Sequence, residues 1–197
     1  MSSPSFSFVA GDRGKWEVVS VSPVVGESLE PVPYLDIRNE YLMNLPVDFR
    51  WLLRGVTSNQ RYVNNAEQAC LMSSQPQLGR PEATCAALIP IRKTRKWWDM
   101  TQEDRRRIFE EKSHHIAKGL DYLPGIARKL HHCRDLGEPF DFLTWFEYAP
   151  EHSAAFEELV ASLRTTEEWE YVEREVDVRL VKSRSAYPAS DHSPEVI

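Results

Sequence analysis

Alternating apolar and polar positions open the chain. Phe6-Ser7-Phe8-Val9 reads as a short strand and Lys15-Trp16-Glu17-Val18-Val19-Ser20-Val21 as a second, with Gly11-Asp12-Arg13-Gly14 as the turn of a hairpin. Residues 23–50 carry Pro23, Pro31, Pro33 and Pro46 and keep no period. A strand follows at 51–56 and a short helix around 66–72. From residue 84 the pattern sharpens. Residues 84–91 are β-like, and Thr101-Gln102-Glu103-Asp104 resembles a capping box, so a long helix is expected from there towards Leu120, ended by Pro124-Gly125. Residues 126–133 alternate, Gly137-Glu138-Pro139 turns, and 140–148 alternate again with many aromatics. After Pro150, Phe156, Leu159, Val160 and Leu163 follow helical spacing, and 171–180 close with alternation. The order strand, helix, strand, strand, helix, strand predicts an α+β fold with a ferredoxin-like βαββαβ unit. Helices cover one face of such a sheet. The other needs a partner, either the N-terminal sheet or another subunit. The expected division is a shortened N-terminal half over 1–83, a main unit over 84–182 and a loose tail over 183–197.

Composition narrows the class. The 197 residues hold 24 Lys and Arg against 30 Asp and Glu, a formal charge of −6, so nucleic acid and anionic membranes are poor partners. No stretch approaches the roughly 18 apolar residues of a membrane span. The N-terminal Met-Ser-Ser-Pro-Ser-Phe-Ser-Phe has neither a basic leader nor a long apolar stretch, so the expected location is cytoplasmic. Cys70, Cys85 and Cys133 are odd in number and far apart, which suits neither a disulfide framework nor a zinc ribbon. Aromatic residues reach 11%, more than a minimal core needs, which hints at a flat apolar ligand. P-loop, GxGxxG, GxSxG and HExxH motifs are absent from the sequence.

Three positions invite a chemical reading. On one continuous helix, Ile108, Phe109, Lys112, Ile116 and Gly119 trace a face that includes His115, while His114 falls about 100° away. Such an imidazole is either an interior side chain or an axial ligand, since a neutral imidazole in an apolar pocket can hold haem iron. In the next strand Ile126, Arg128, Leu130 and His132 face one way, and Ala127, Lys129, His131 and Cys133 the other. Arg128 among aliphatic neighbours needs either a buried carboxylate or an anionic ligand. The stripe Phe140, Phe142, Thr144, Phe146, Tyr148 is core or, where Thr144 interrupts it, a pocket wall. A non-haem metal site is disfavoured, because at most one residue of each pair His114-His115 and His131-His132 can converge. Arg105-Arg106-Arg107 reads as a solvated helix face.

Five separated segments resemble the chlorite dismutase family. They are Lys93-Thr94-Arg95-Lys96-Trp97-Trp98, the helix with His115, Leu123-Pro124 with Ala127-Arg128-Lys129-Leu130-His131, Asp141-Phe142-Leu143-Thr144-Trp145-Phe146-Glu147, and Leu163-Arg164-Thr165-Thr166-Glu167-Glu168. The short chain resembles the compact, dimeric branch, which implies a dimeric α+β barrel. The resemblance implies haem b with His115 as its proximal ligand, and Glu168 or the adjacent Glu167 as acceptor of the imidazole Nδ1 hydrogen. It further implies Lys93 as the cation paired with that carboxylate and Trp97 as the indole beside the macrocycle. Arg128 would be the distal cation with Gln75 as its partner, and Leu130, Thr144 and Phe146 the distal wall. The implied reaction converts chlorite into chloride and molecular oxygen, with the O–O bond formed at the haem iron, in a homodimer with a detoxifying role. Coproheme decarboxylases, which resemble the chain around the proximal His, are one alternative. They carry a reactive Tyr where this sequence has Ile89, and no Tyr lies between Val63 and Tyr122. The other is a non-catalytic haem-binding dimer in which Arg128 clamps a propionate.

Overall fold

The computed structural model describes residues 4–57, 64, 65, 69, 74, 76–123 and 125–183. The N-terminal alternation becomes β1 (Ser5–Gly11), followed by β2 (Trp16–Val25), β3 (Tyr34–Arg38) and β4 (Phe49–Val56). The expected hairpin of the first two strands does not form. β3 lies between them, pairing Leu35 and Tyr34 with Trp16 and Glu17 of β2 on one side and Ser7–Gly11 of β1 on the other. The 11–14 turn instead steps over β3, and a Cβ on Gly14 would stand 2.5 Å from the Leu35 carbonyl oxygen, so only glycine fits there. Of the expected helix around 66–72 only residue 69, which is helical, is described, and the tail beyond residue 183 lies outside the described residues.

The second half follows its periodicity more closely. β5 (Cys85–Lys93) leads through α1 (Arg95–Asp99) and α2 (Gln102–Arg106) into a π-helical turn at Arg107–Lys112 and then α3 (His115–Asp121). β6 (Ile126–His132), β7 (Phe142–Tyr148), α4 (Ser153–Arg164), a 3₁₀ turn (Glu167–Tyr171) and β8 (Val172–Lys182) complete it. Thr101 caps α2 through its hydroxyl, as the capping-box reading expects. The single long helix is overturned, because His114 takes a left-handed backbone at φ 54° and divides it. The new start at α3 has its orphan N–H groups met from outside: Glu110 Oε2 accepts from Ile116 N at 2.6 Å and Oε1 from Ala117 N at 3.3 Å.

All neighbouring strands run antiparallel and close a barrel in the order β1-β3-β2-β8-β5-β7-β6-β4. Within each half the spatial order is therefore fourth, first, third, second. Between β1 and β2, and between β3 and β4, no helix appears among the described residues. Phe8, Leu35, Leu53, Leu88, Leu143, Trp145, Val178 and others fill the barrel interior. Phe140 joins that interior cluster, ahead of the strand, rather than extending the outward aromatic stripe. On the outside, α4 buries Phe156, Leu159, Val160 and Leu163 against Phe146, Tyr148 and Ile126 of the sheet. Phe156 and Tyr148 stack at 4.6 Å. Truncating so buried an aromatic to Ala costs about 3–5 kcal/mol.

Candidate functional site

A cleft opens between the outer face of β5–β8 and the covering helices, with about 1220 Å³ of empty space including its mouth. Its walls are mostly apolar, as those of ligand pockets usually are. Alternation decides which residues reach it. From β6, Ile126, Arg128, Leu130 and His132 line the cleft; from β7, Phe142, Thr144 and Phe146 do. Register sets Arg128 opposite Phe146 and Leu130 opposite Thr144.

The other wall belongs to α3 and the 3₁₀ turn. His115 Nδ1 stands 2.7 Å from Glu168 Oε2, and Lys93 Nζ stands 2.7 Å from Glu168 Oε1. Both side chains of the ion pair are almost wholly buried, at 3% and 5% exposure. Burial alone would raise the Glu168 carboxyl, but the charge of Lys93 and then that of His115, with hydrogen bonds from both, bring it down to about 2. An ionised carboxylate only accepts, so Nδ1 carries a proton and donates it to Glu168, and Nε2 is the ring nitrogen left for a ligand. Phe109 stacks on the imidazole at 4.4 Å and 21°. Trp97 lines the cleft, and Lys93 Nζ lies 4.8 Å from its ring centroid. The neighbouring Glu167 turns away and pairs with Lys112 at 2.9 Å. Only Glu168 of the two therefore reaches the imidazole.

Arg128 lines the same cleft, half-buried, and burial lowers its pKa. Gln75 lies outside the described residues. The remaining predicted positions all line one cleft: His115, Glu168, Lys93, Trp97, Arg128, Leu130, Thr144 and Phe146. No group of three His, Cys, Asp or Glu side chains that could hold a bare metal ion occurs among the described residues. The donor set fits a haem: one imidazole with Nδ1 clamped by a carboxylate, largely apolar walls, and a guanidinium in the same lining.

Several supporting residues were not singled out from the sequence. Ser113 accepts from the Glu168 backbone N–H at 3.2 Å. Asp141 accepts from Lys93 N at 2.7 Å and Trp98 Nε1 at 3.0 Å, pinning the end of β5. Trp169 donates to Glu175 Oε2 at 2.7 Å, and Arg164 grips Glu175 and Asp177 at 2.7 and 2.8 Å. These contacts cross from one element to another, and no spacing announces them.

Comparison with known proteins gives a consistent result. The family model described as Chlorite dismutase matches residues 40–183. The crystal structure of a dimeric chlorite dismutase from Nitrobacter winogradskyi is similar at 60% identity, over 90% of this chain and 99% of that one, with a TM-score of 0.84. The chlorite dismutase of Candidatus Nitrospira defluvii in complex with imidazole is 27% identical over 69% of this chain and 56% of its own, with a TM-score of 0.56. A curated relative, the chlorite dismutase of Ideonella dechloratans, is 35% identical over 86 residues, and the match spans 44% of this chain but only 28% of that relative.

Proposed function

The chain belongs to the chlorite dismutase family, and from that premise we propose that it is a haem b enzyme that converts chlorite into chloride and molecular oxygen. One observation carries this reading: a carboxylate-clamped imidazole and the Arg128 guanidinium line the same cleft. His115 Nε2 binds the haem iron, and Glu168, held by Lys93, fixes the ring's orientation and strengthens its donation. When bound, the haem supplies the iron at which oxygen is transferred and the O–O bond forms. Arg128 attracts chlorite and orients it, and its charge counts for more here than in water. Leu130 and Phe146 exclude water, and Thr144 is the one small polar group between them in the distal wall. The overall change, ClO₂⁻ to Cl⁻ and O₂, balances without a further reductant.

Reconstitution with haem b and an oxygen electrode tests this. Wild-type protein should release oxygen from chlorite, and Arg128→Ala should release it about 10²–10³-fold more slowly with haem still bound. Equal, fast release by both removes the role of Arg128; no release by either overturns the reading. The decarboxylase alternative predicts conversion of coproporphyrin iron to haem b with peroxide. Ile89, buried in the cleft wall, offers no phenol for that chemistry.

Further parts of the proposal are coarser. We read 84–182 as a ferredoxin-like unit and 1–83 as a shortened relative, supported by the same strand order in both halves. A homodimer is supported by 60% identity to a dimeric structure. We read the location as cytoplasmic, in keeping with free Cys85 and Cys133, and the role as detoxification, since the proposed reaction removes chlorite. No helix among the described residues is long and apolar enough to cross a membrane.

A further inference from the structure

Glycine inside a helix needs a reason, because it is among the poorest helix formers. Of the eight glycines in the chain, Gly26, Gly79 and Gly137 have positive φ, and Gly11, Gly14, Gly55 and Gly125 would each set a Cβ within 3.0 Å of another atom. Gly119 has neither excuse. It sits within α3 with no left-handed backbone, and a Cβ built there meets no atom of the described residues within 4 Å. The fold gains nothing from its bareness.

Its position supplies the reason. Gly119 lies four residues after His115, so both project from the same side of α3, one turn apart, and both line the cleft. We propose that Gly119 is a specificity-determining residue of this cleft. Its missing side chain leaves a flat ledge on the His115 wall, against which a planar tetrapyrrole lies closely enough to reach the imidazole. The inference rests on the haem reading above but concerns shape, not ligation. A side chain at 119 would stand in the space the macrocycle takes up, while the empty protein would tolerate it.

The two expectations point in opposite directions, which makes the test sharp. Apoproteins of wild type, Gly119→Ala and Gly119→Leu are compared by thermal unfolding, then titrated with haem b and with metal-free protoporphyrin IX. The Soret band reads the first ligand and quenching of tryptophan fluorescence the second. Gly119→Ala should melt about 2–4 °C above wild type. Gly119→Leu should stay folded while losing at least tenfold in affinity for both ligands, with Gly119→Ala between it and wild type. Loss of the metal-free ligand separates a steric ledge from iron coordination, because His115→Ala should weaken haem b far more than protoporphyrin IX. Wild-type affinity for both porphyrins in Gly119→Leu overturns the proposal and leaves the haem reading standing. A lower apoprotein melting temperature for Gly119→Ala also overturns it, since the glycine then serves the fold. Failure of wild-type protein to take up either porphyrin removes the haem reading, and this inference with it.

Discussion

The two faces of β6 give one strand two environments. Outward, Arg128 stands over an open cleft, where burial lowers its pKa. Inward, His131 lies against the barrel core between Phe6 and Phe8, with ring centroids at 4.8 and 5.2 Å, and burial pulls its pKa down to about 4. Its Nδ1 lies 3.2 Å from the Leu143 carbonyl, which fixes the proton there in the neutral ring. Desolvation acts on both, with different results. An imidazole surrenders its proton within the physiological range and becomes packing, whereas a guanidinium cannot and stays charged. A charge that cannot be neutralised, in the lining of the cleft, sets the outer face of this strand apart from its inner one.

The largest expected effect tests whether the cleft depends on its imidazole. His115→Ala should weaken haem b binding by more than about 100-fold in a Soret titration, beyond the usual cost of losing an outer partner of a metal ligand. Glu168→Gln should cost about 10–100-fold in the same titration. It should also destabilise the apoprotein by about 3–5 kcal/mol in urea unfolding, because Lys93 is left buried without its counter-charge. Acidity addresses the inner face. His131 binds its proton more weakly folded than unfolded, so its contribution is fully present above pH 6.5 and is lost as pH falls towards 4. Between pH 7 and 4.5 this amounts to about 2–3 kcal/mol, and His131→Gln, which cannot titrate, should lose correspondingly less stability over the same range. The smallest change concerns Lys129, whose ammonium lies 4.4 Å from the Phe6 ring centroid. Lys129→Ala should cost no more than about 1 kcal/mol and leave oxygen release untouched. A drop in oxygen release for Lys129→Ala or His131→Gln comparable to that of Arg128→Ala would erase the contrast between the faces.

Much of the cleft was legible because strands repeat every two residues. Alternation alone put Arg128 with Leu130 and His132, and Thr144 with Phe142 and Phe146, where the structure has them. Helical spacing likewise named the buried face of α4. What failed was whatever depended on an interruption or on distant contacts. The residues around His114 carry no proline or glycine to announce a break, so one continuous helix was expected. The insertion of β3 between β1 and β2 depends on pairing between segments that local pattern does not connect. The choice between Glu167 and Glu168 was closed to the sequence for a related reason. In a 3₁₀ turn adjacent side chains point about 120° apart, and what each meets lies more than fifty residues away.

The barrel's closure is uneven. β6 pairs with β7 through seven residues, from Ile126 to His132, but with β4 through Val56 and His132 alone among the described residues. Arg128 therefore rides on a strand zipped along one edge and merely pinned at one end of the other. Amide hydrogens of β6 that point towards β4 should exchange with deuterated solvent before those of β5, which is paired on both sides. Among the described residues the guanidinium thus hangs from a strand held along one edge, while the imidazole is anchored through a carboxylate in a buried ion pair.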